Sequence, residues 1–153
     1  MKISFCVLLL HLYLTGAIPI RRGKLSNSSA VAPSSWSDCG GGATSLSVNN
    51  VKVSPDPVVA GKNFTLSLDC STSDQVSDGT FVIQVYLAGI MVHKQTNGIC
   101  EEHSCPFGPG PVNLVSTTNM PIITPHGRYD VKVTGSLPDG LPAICADIQF
   151  SVV

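Results

Sequence analysis

Apolar residues along this chain recur with period two. In Phe81-Val82-Ile83-Gln84-Val85-Tyr86-Leu87, the side chains of Phe81, Ile83, Val85 and Leu87 point one way, and Gln84 and Tyr86 break the other side. Alternation with β-branched and aromatic residues predicts a half-buried strand, the strongest in the chain. The other strands are expected to pack around it as a central strand. Phe64, Leu66, Leu68 and Cys70 alternate with Thr65, Ser67 and Asp69, which predicts a second strand. Leu46 to Val53 is a third, with a phase slip at Asn49-Asn50 that suggests a bulge. Tyr129, Val131 and Val133 point inward from 128–134, and Ile144, Ala146, Ile148, Phe150 and Val152 from the last strand, with Cys145, Asp147, Gln149 and Ser151 outward. Ile90 to Val92 continues apolar beyond Gly89, and Val112 to Ile123 is a weaker strand.

Turn residues punctuate these runs at Ser54-Pro55-Asp56-Pro57, Gly61-Lys62 and Pro138-Asp139-Gly140. No amphipathic helical period is visible. The expected fold is all-β: an immunoglobulin-like β-sandwich of two antiparallel sheets with about seven strands. The tryptophan that usually packs on an intersheet disulfide is missing, since Trp36 falls outside the strands.

The ends of the chain read differently. Lys2 followed by the apolar run Ile3 to Leu14 and the small residues Thr15-Gly16-Ala17 predicts a signal peptide over 1–17. A membrane anchor is the other reading of that run, but it is too short to span a bilayer. Residues 18–38 form a serine-rich segment without apolar period, expected to be a disordered tail. Arg21-Arg22 within it is a solvated basic pair or a processing site. Residues 39–153 are then the single folded domain. Asn27 and Asn63 head glycosylation sequons, and Asn63 has solvent parity.

Charge narrows the partners. From Cys39 onward five Lys or Arg face nine Asp or Glu, a net charge of −4. Nucleic-acid binding needs a basic face, so this balance excludes it. A secretory chain meets an oxidising compartment, extracellular or the lumen of a vacuole or lysosome, and its C-terminus carries no retention signal. Five cysteines follow the signal, which leaves two bridges and one free thiol, with pairing not fixed by count. Cys100 and Cys105 are near enough to bridge locally, and Cys39 and Cys145 would then tie the start of the domain to its last strand.

No catalytic constellation emerges. His93, His103 and His126 lie at no metal spacing. Glu101-Glu102 are adjacent and do not face each other, and no Gly-x-Ser-x-Gly elbow exists. The run Gly40-Gly41-Gly42 lacks the strand and helix that a phosphate loop needs. Cys70 has buried parity and reads as an inert core thiol. No enzyme activity, cofactor or metal is expected.

Cys39, then Val51-Lys52-Val53-Ser54-Pro55-Asp56-Pro57-Val58-Val59-Ala60-Gly61-Lys62, Cys100-Glu101-Glu102-His103-Ser104-Cys105-Pro106, Tyr129-Asp130-Val131-Lys132-Val133 and Cys145, in this order, resemble the ML lipid-recognition family. The likeness is greatest to its plant-type phosphatidylglycerol/phosphatidylinositol transfer proteins, relatives of the soluble Niemann-Pick type C sterol carrier. The resemblance implies the pairs Cys39–Cys145 and Cys100–Cys105. It also implies a non-catalytic, monomeric carrier that holds one sterol or phospholipid between its sheets and touches membranes transiently. The lining candidates are Phe64, Leu66, Leu68, Phe81, Ile83, Val85, Leu87, Tyr129, Val131, Val133, Ile148 and Phe150. Met91, Phe107 and Met120 join them because they lie near strand ends or the cysteine loop. Alternation does not separate a solid core from a lined cavity. With a solid core the domain would instead be a secreted interaction module, an immune or signalling co-receptor.

Overall fold

The computed structural model describes residues 31–153. The signal segment, the first part of the serine-rich stretch and Asn27 lie outside the described residues. Eight strands follow one another: β1 (Ser35–Asp38), β2 (Leu46–Ser54), β3 (Asn63–Thr72), β4 (Thr80–Leu87), β5 (Ile90–Gly98), β6 (Gly110–Asn119), β7 (Gly127–Ser136) and β8 (Pro142–Val152). One four-residue helix, α1 (Ile99–Glu102), joins β5 to the loop before β6. The strands form two antiparallel sheets, β1-β8-β7-β4-β5 and β2-β3-β6, so the expected sandwich is present.

Two features differ from the sequence reading. The expected tail ends too late: Ser35–Asp38 pairs with β8 in the register Trp36↔Ile148. One apolar residue among serines carries no alternation, so the ladder alone makes this segment a strand. Trp36 packs against the core, and Ser34 is tied down through two bonds to Asp56 Oδ2, at 2.8 and 2.7 Å. Ser151, expected outward, is buried and donates to the Ala32 carbonyl at 3.2 Å. The second difference concerns β4. It lies second from the edge, and β7 holds the centre of the larger sheet.

The phase slip in β2 is real, with a register shift between Val48 and Asn50. Both cysteine pairs implied by the resemblance form, Cys39–Cys145 and Cys100–Cys105. The first closes 106 residues of separation, and the glycine run Gly40 to Gly42 turns beside it. The Tyr129 hydroxyl donates to the Pro125 carbonyl at 2.8 Å, a bond back to the chain just upstream like the tyrosine corner of immunoglobulin-type sandwiches.

The core is not spread evenly between the sheets. They approach closely where β2 meets β8 and β1. There Leu46, Val58, Ile148 and Val152 are fully buried. On β7, Tyr129, Val131 and Val133 remain buried, but on β4 Phe81, Ile83, Val85 and Leu87 are only half-buried. β5 is exposed along most of its length. In the smaller sheet, Leu68 is buried while Phe64, Leu66 and Leu114 are half-buried. The sandwich is therefore closed on the β8–β2 side and open on the β4–β5–β6 side.

Candidate functional site

An apolar row that stays half-exposed marks surface the fold has not covered. Here such rows face one another across the open side. Leu66 and Leu68 from β3, Leu114 from β6, and Phe81 and Ile83 from β4 line a cleft between the sheets. Val133 and Ile144 form its floor, and Leu46 and Ile99 its closed end. Val115 and Ser116 of β6 form one lip. The enclosed volume is about 50 Å³. Pockets that enclose a small ligand hold roughly 300 Å³ or more. Occupation by anything larger than a few methylenes therefore requires the sheets to part on the open side.

The closed end is built by the cysteine loop. The Cys100–Cys105 bridge pins α1, which delivers Ile99 into the cleft at 3% exposure. Gly79, at φ +153°, makes room for it: a Cβ there would lie 2.7 Å from Ile99 Cδ1 and 2.9 Å from the Ser136 carbonyl. Glu101 Oε2 accepts the Gly98 amide at 2.9 Å, so this carboxylate is engaged in capping the turn.

The expected lining residues lie in several different places. Leu66, Leu68, Phe81, Ile83 and Val133 meet in the cleft. Val85 and Leu87 continue the same face of β4 toward the far end of the sandwich, half-buried. Phe64, Tyr129 and Phe150 cluster there instead, Tyr129 stacked on Phe150 with ring centroids 6.0 Å apart and Phe64 tilted against Phe150 at 5.7 Å, and Met120 packs beside that end. Val131 and Ile148 are buried in the core. Phe107 is buried under the cysteine loop, bonded to Val76 at 2.9 and 3.0 Å and edge-on to His103. Met91 sits opposite Tyr86 on the outer face, where Gln84 Nε2 approaches its sulfur at 3.8 Å, away from the cleft.

Ile99, Leu114 and Leu46 were not among the sequence candidates. Leu114 and Leu46 carried the strand signal; Ile99 had only its place beside Cys100.

A wider concavity of about 580 Å³ lies on the outer face of the larger sheet, lined by Ser35, Trp36, Ser37, Tyr86, Asp130, Val131, Lys132, Asp147, Ile148 and Gln149. Several of its polar groups pair with one another or with a neighbour. Arg128 donates to Gln149 Oε1 at 2.9 Å, Gln149 donates to Asp130 at 2.6 Å, and Lys132 pairs with Asp147 at 3.9 Å. It offers no apolar surface on the scale of the cleft.

Cys70 is buried beside the core, and burial, with a smaller contribution from the Asp69 charge, pushes its thiol up to about 11. Burial also raises the Tyr129 phenol. Among the described residues, no three His, Cys, Asp or Glu are grouped to hold a metal ion. No described helix is long and apolar enough to cross a membrane.

The family model described as the ML domain matches residues 33–152. The chain belongs to the ML-domain family. The match reaches back past Cys39 to include β1. As a member of this family the protein is not an enzyme. Among its relatives is a phosphatidylglycerol/phosphatidylinositol transfer protein of Mycosarcoma maydis, 35% identical over an alignment of 123 residues that covers 75% of this chain. The chain spans 64% of that relative's length. A putative phosphatidylglycerol/phosphatidylinositol transfer protein of Dictyostelium discoideum is 33% identical over 104 residues, covering 65% of this chain and 72% of that protein. Among solved structures, a Niemann-Pick type C2 protein from the Japanese carpenter ant superposes with a TM-score of 0.62 at 14% identity, covering 78% of this chain and 99% of that one. Chicken MD-1 complexed with lipid IVa does so with a TM-score of 0.56 at 12% identity, covering 77% and 88%. At those identities the likeness shows the shared fold.

Proposed function

We propose that this protein is a lipid carrier. It takes the apolar part of one sterol or phospholipid into the cleft between its sheets, performs no chemistry on it, and moves it between membranes. The carrying observation is the facing pair of half-buried apolar rows on β3–β6 and β4, open on one side and closed on the other. Covering such surface with a lipid tail gains roughly 2.5 kcal/mol per 100 Å² removed from water. The same surface left bare costs a comparable amount, so the empty cleft draws in on itself. The transfer-protein names of the curated relatives support the same reading.

The exposed isoleucines support membrane contact. Leu87 pairs with Tyr129, Tyr129 stacks on Phe150, and Phe150 meets Phe64 beside the end of β6. The β4–β5 turn and the loop after β6 therefore share one end of the sandwich. There Ile90, Ile122 and Ile123 are 70%, 82% and 87% exposed. Apolar side chains at a single tip suit brief insertion at a bilayer surface. Two disulfides suit a secretory compartment, outside the cell or in a vacuolar or lysosomal lumen. Asn63 is exposed at the start of β3, where a glycan clears the cleft.

The test is transfer of a fluorescent phospholipid or sterol from donor to acceptor vesicles. Acceleration in proportion to protein concentration supports the carrier. A natively folded protein that neither moves lipid nor takes up an apolar dye is a solid-core interaction module instead.

A further inference from the structure

The inward row of β4 runs out of side chains at one end. Leu87, Val85, Ile83 and Phe81 alternate toward the start of the strand, and the next position in the same phase is Gly79. On β7, Gly135 is the partner of Phe81, and residues paired across a ladder share a face. Two glycines therefore stand on the face turned to the cleft. Neither gap is empty. A Cβ at Gly79 would lie 2.7 Å from Ile99 Cδ1, and one at Gly135 would lie 2.8 Å from Ile144 Cγ2. Each isoleucine takes the place that a side chain on the neighbouring strand would have filled.

The two isoleucines are held differently. Ile144 belongs to β8 and pairs with Gly135 in the ladder. Ile99 belongs to the four-residue helix α1, which lies outside both sheets. Its amide donates to the Gly79 carbonyl at 2.9 Å, and its carbonyl accepts from the His103 amide at 3.2 Å. The Cys100–Cys105 bridge closes the turn. Ile99 is buried, while Cys100 and Glu101 beside it are exposed. Cross-linking so short a turn fixes where its buried apolar side chain points.

This wall stands opposite the tip that carries the exposed isoleucines. β5 starts at Ile90 and leads into α1, and β6 starts after the cysteine loop and ends shortly before Ile122. The row from Leu87 to Phe81 spans about 20 Å at the rise of an extended strand. A linear apolar chain laid along it from the tip meets Ile99 last. A longer chain has to coil or leave methylenes outside at the tip, and each methylene left in water forgoes its burial.

Resting on the carrier reading, we propose that Ile99 is the end-stop of the cleft. It meets the terminal methyl of a bound acyl chain and sets the longest chain that the protein extracts from a membrane.

The experiment offers the protein vesicles of phosphatidylglycerol with saturated chains of graded length, mixed with cholesterol, and reads the extracted lipids by mass spectrometry. The wild type shows an upper limit of chain length. Ile99→Ala moves that limit upward: the ratio of the next longer chain to the wild type's preferred chain rises roughly tenfold, at about fourfold for each methylene that finds room. Ile99→Val removes only the methyl that faces Gly79 and disturbs the fold least, and it moves the ratio in the same direction by about twofold to fourfold. Leu114→Ala deletes as many carbons from the side wall of the cleft and leaves the limit where it is. Thermal unfolding of each sample verifies that it is folded. The end-stop is overturned if the wild type shows no limit, if folded Ile99 variants keep the wild-type distribution, if Leu114→Ala moves it equally, or if cholesterol alone is extracted. In each of these cases the carrier reading stands. A wild type that extracts no lipid at all defeats the carrier reading and the end-stop together.

Discussion

Cys70 illustrates how far a single side chain is determined by its parity. It follows Phe64, Leu66 and Leu68 on one face of β3, and it is buried, with its thiol raised to about 11. At pH 8 the thiolate is scarce and inaccessible, so a thiol-alkylating reagent is expected to leave the native protein unlabelled and to label one site after unfolding. Rapid labelling of the native chain would contradict this environment. The same shift has a pH consequence. The unfolded thiol loses its proton near 9 and the folded one near 11, so its contribution to stability is fully present below pH 9 and is lost as the pH rises toward 11. Met91 shows where residue-level reading fails. The register of β4 and β5 shifts between Val85 and Tyr86, which puts Met91 on the outer face. This bulge leaves no trace in the alternation of β5, whose side chains are mostly exposed. Ile83 is the sharper probe of the cleft. Ile83→Asn is expected to cost about 1–3 kcal/mol of stability and to lower lipid uptake more than tenfold. Thermal unfolding and dye uptake measured on the same sample check it. Undiminished uptake would remove Ile83 from the site.

At the scale of elements, the strong alternators were legible and the weak ones were not. β3, β4, β7 and β8 each carry several inward apolar residues, and all four appear where the pattern puts them. β1 carries one, Trp36, and exists because β8 offers it a free edge. The apolar pattern predicts β5 only from Ile90 to Val92, yet it runs to Gly98 through residues whose inward side is polar. The Cys39–Cys145 bridge ties β1 and the start of the domain to β8 across 106 residues. Chain entropy for a loop of that length is about 4–5 kcal/mol. The double variant Cys39→Ser with Cys145→Ser is expected to lose roughly 2–5 kcal/mol in denaturant unfolding. The short Cys100–Cys105 loop contributes less through entropy. Its removal should instead loosen Ile99 and weaken lipid uptake more than stability.

The whole molecule is a sandwich closed along β8–β2 and open along β4–β5–β6. Sequence could name inward faces but not their separation, because core and cleft use the same residue types. The gradient of burial from β8 through β7 to β4 resolves them: Ile148 and Val131 are core, whereas Phe81 and Ile83 are cleft. An enclosed volume near 50 Å³ means that loading is a movement of the sheets, not the filling of a ready pocket. At one end, Ile122 and Ile123 project almost fully into solvent. Ile122→Ser with Ile123→Ser is expected to slow vesicle-to-vesicle transfer severalfold while equilibrium lipid binding and thermal stability stay unchanged. Equal loss of binding and transfer would place these residues in the cleft instead. The most direct measurement of the central claim is native mass spectrometry of the protein purified from a eukaryotic secretory host, with the released lipid identified after denaturation. A single lipid per chain, a sterol or a phospholipid, is the predicted result. A mass without lipid that fails to shift when sterol or phospholipid is added would mean that the space between the sheets is a filled core, and the carrier reading would fall.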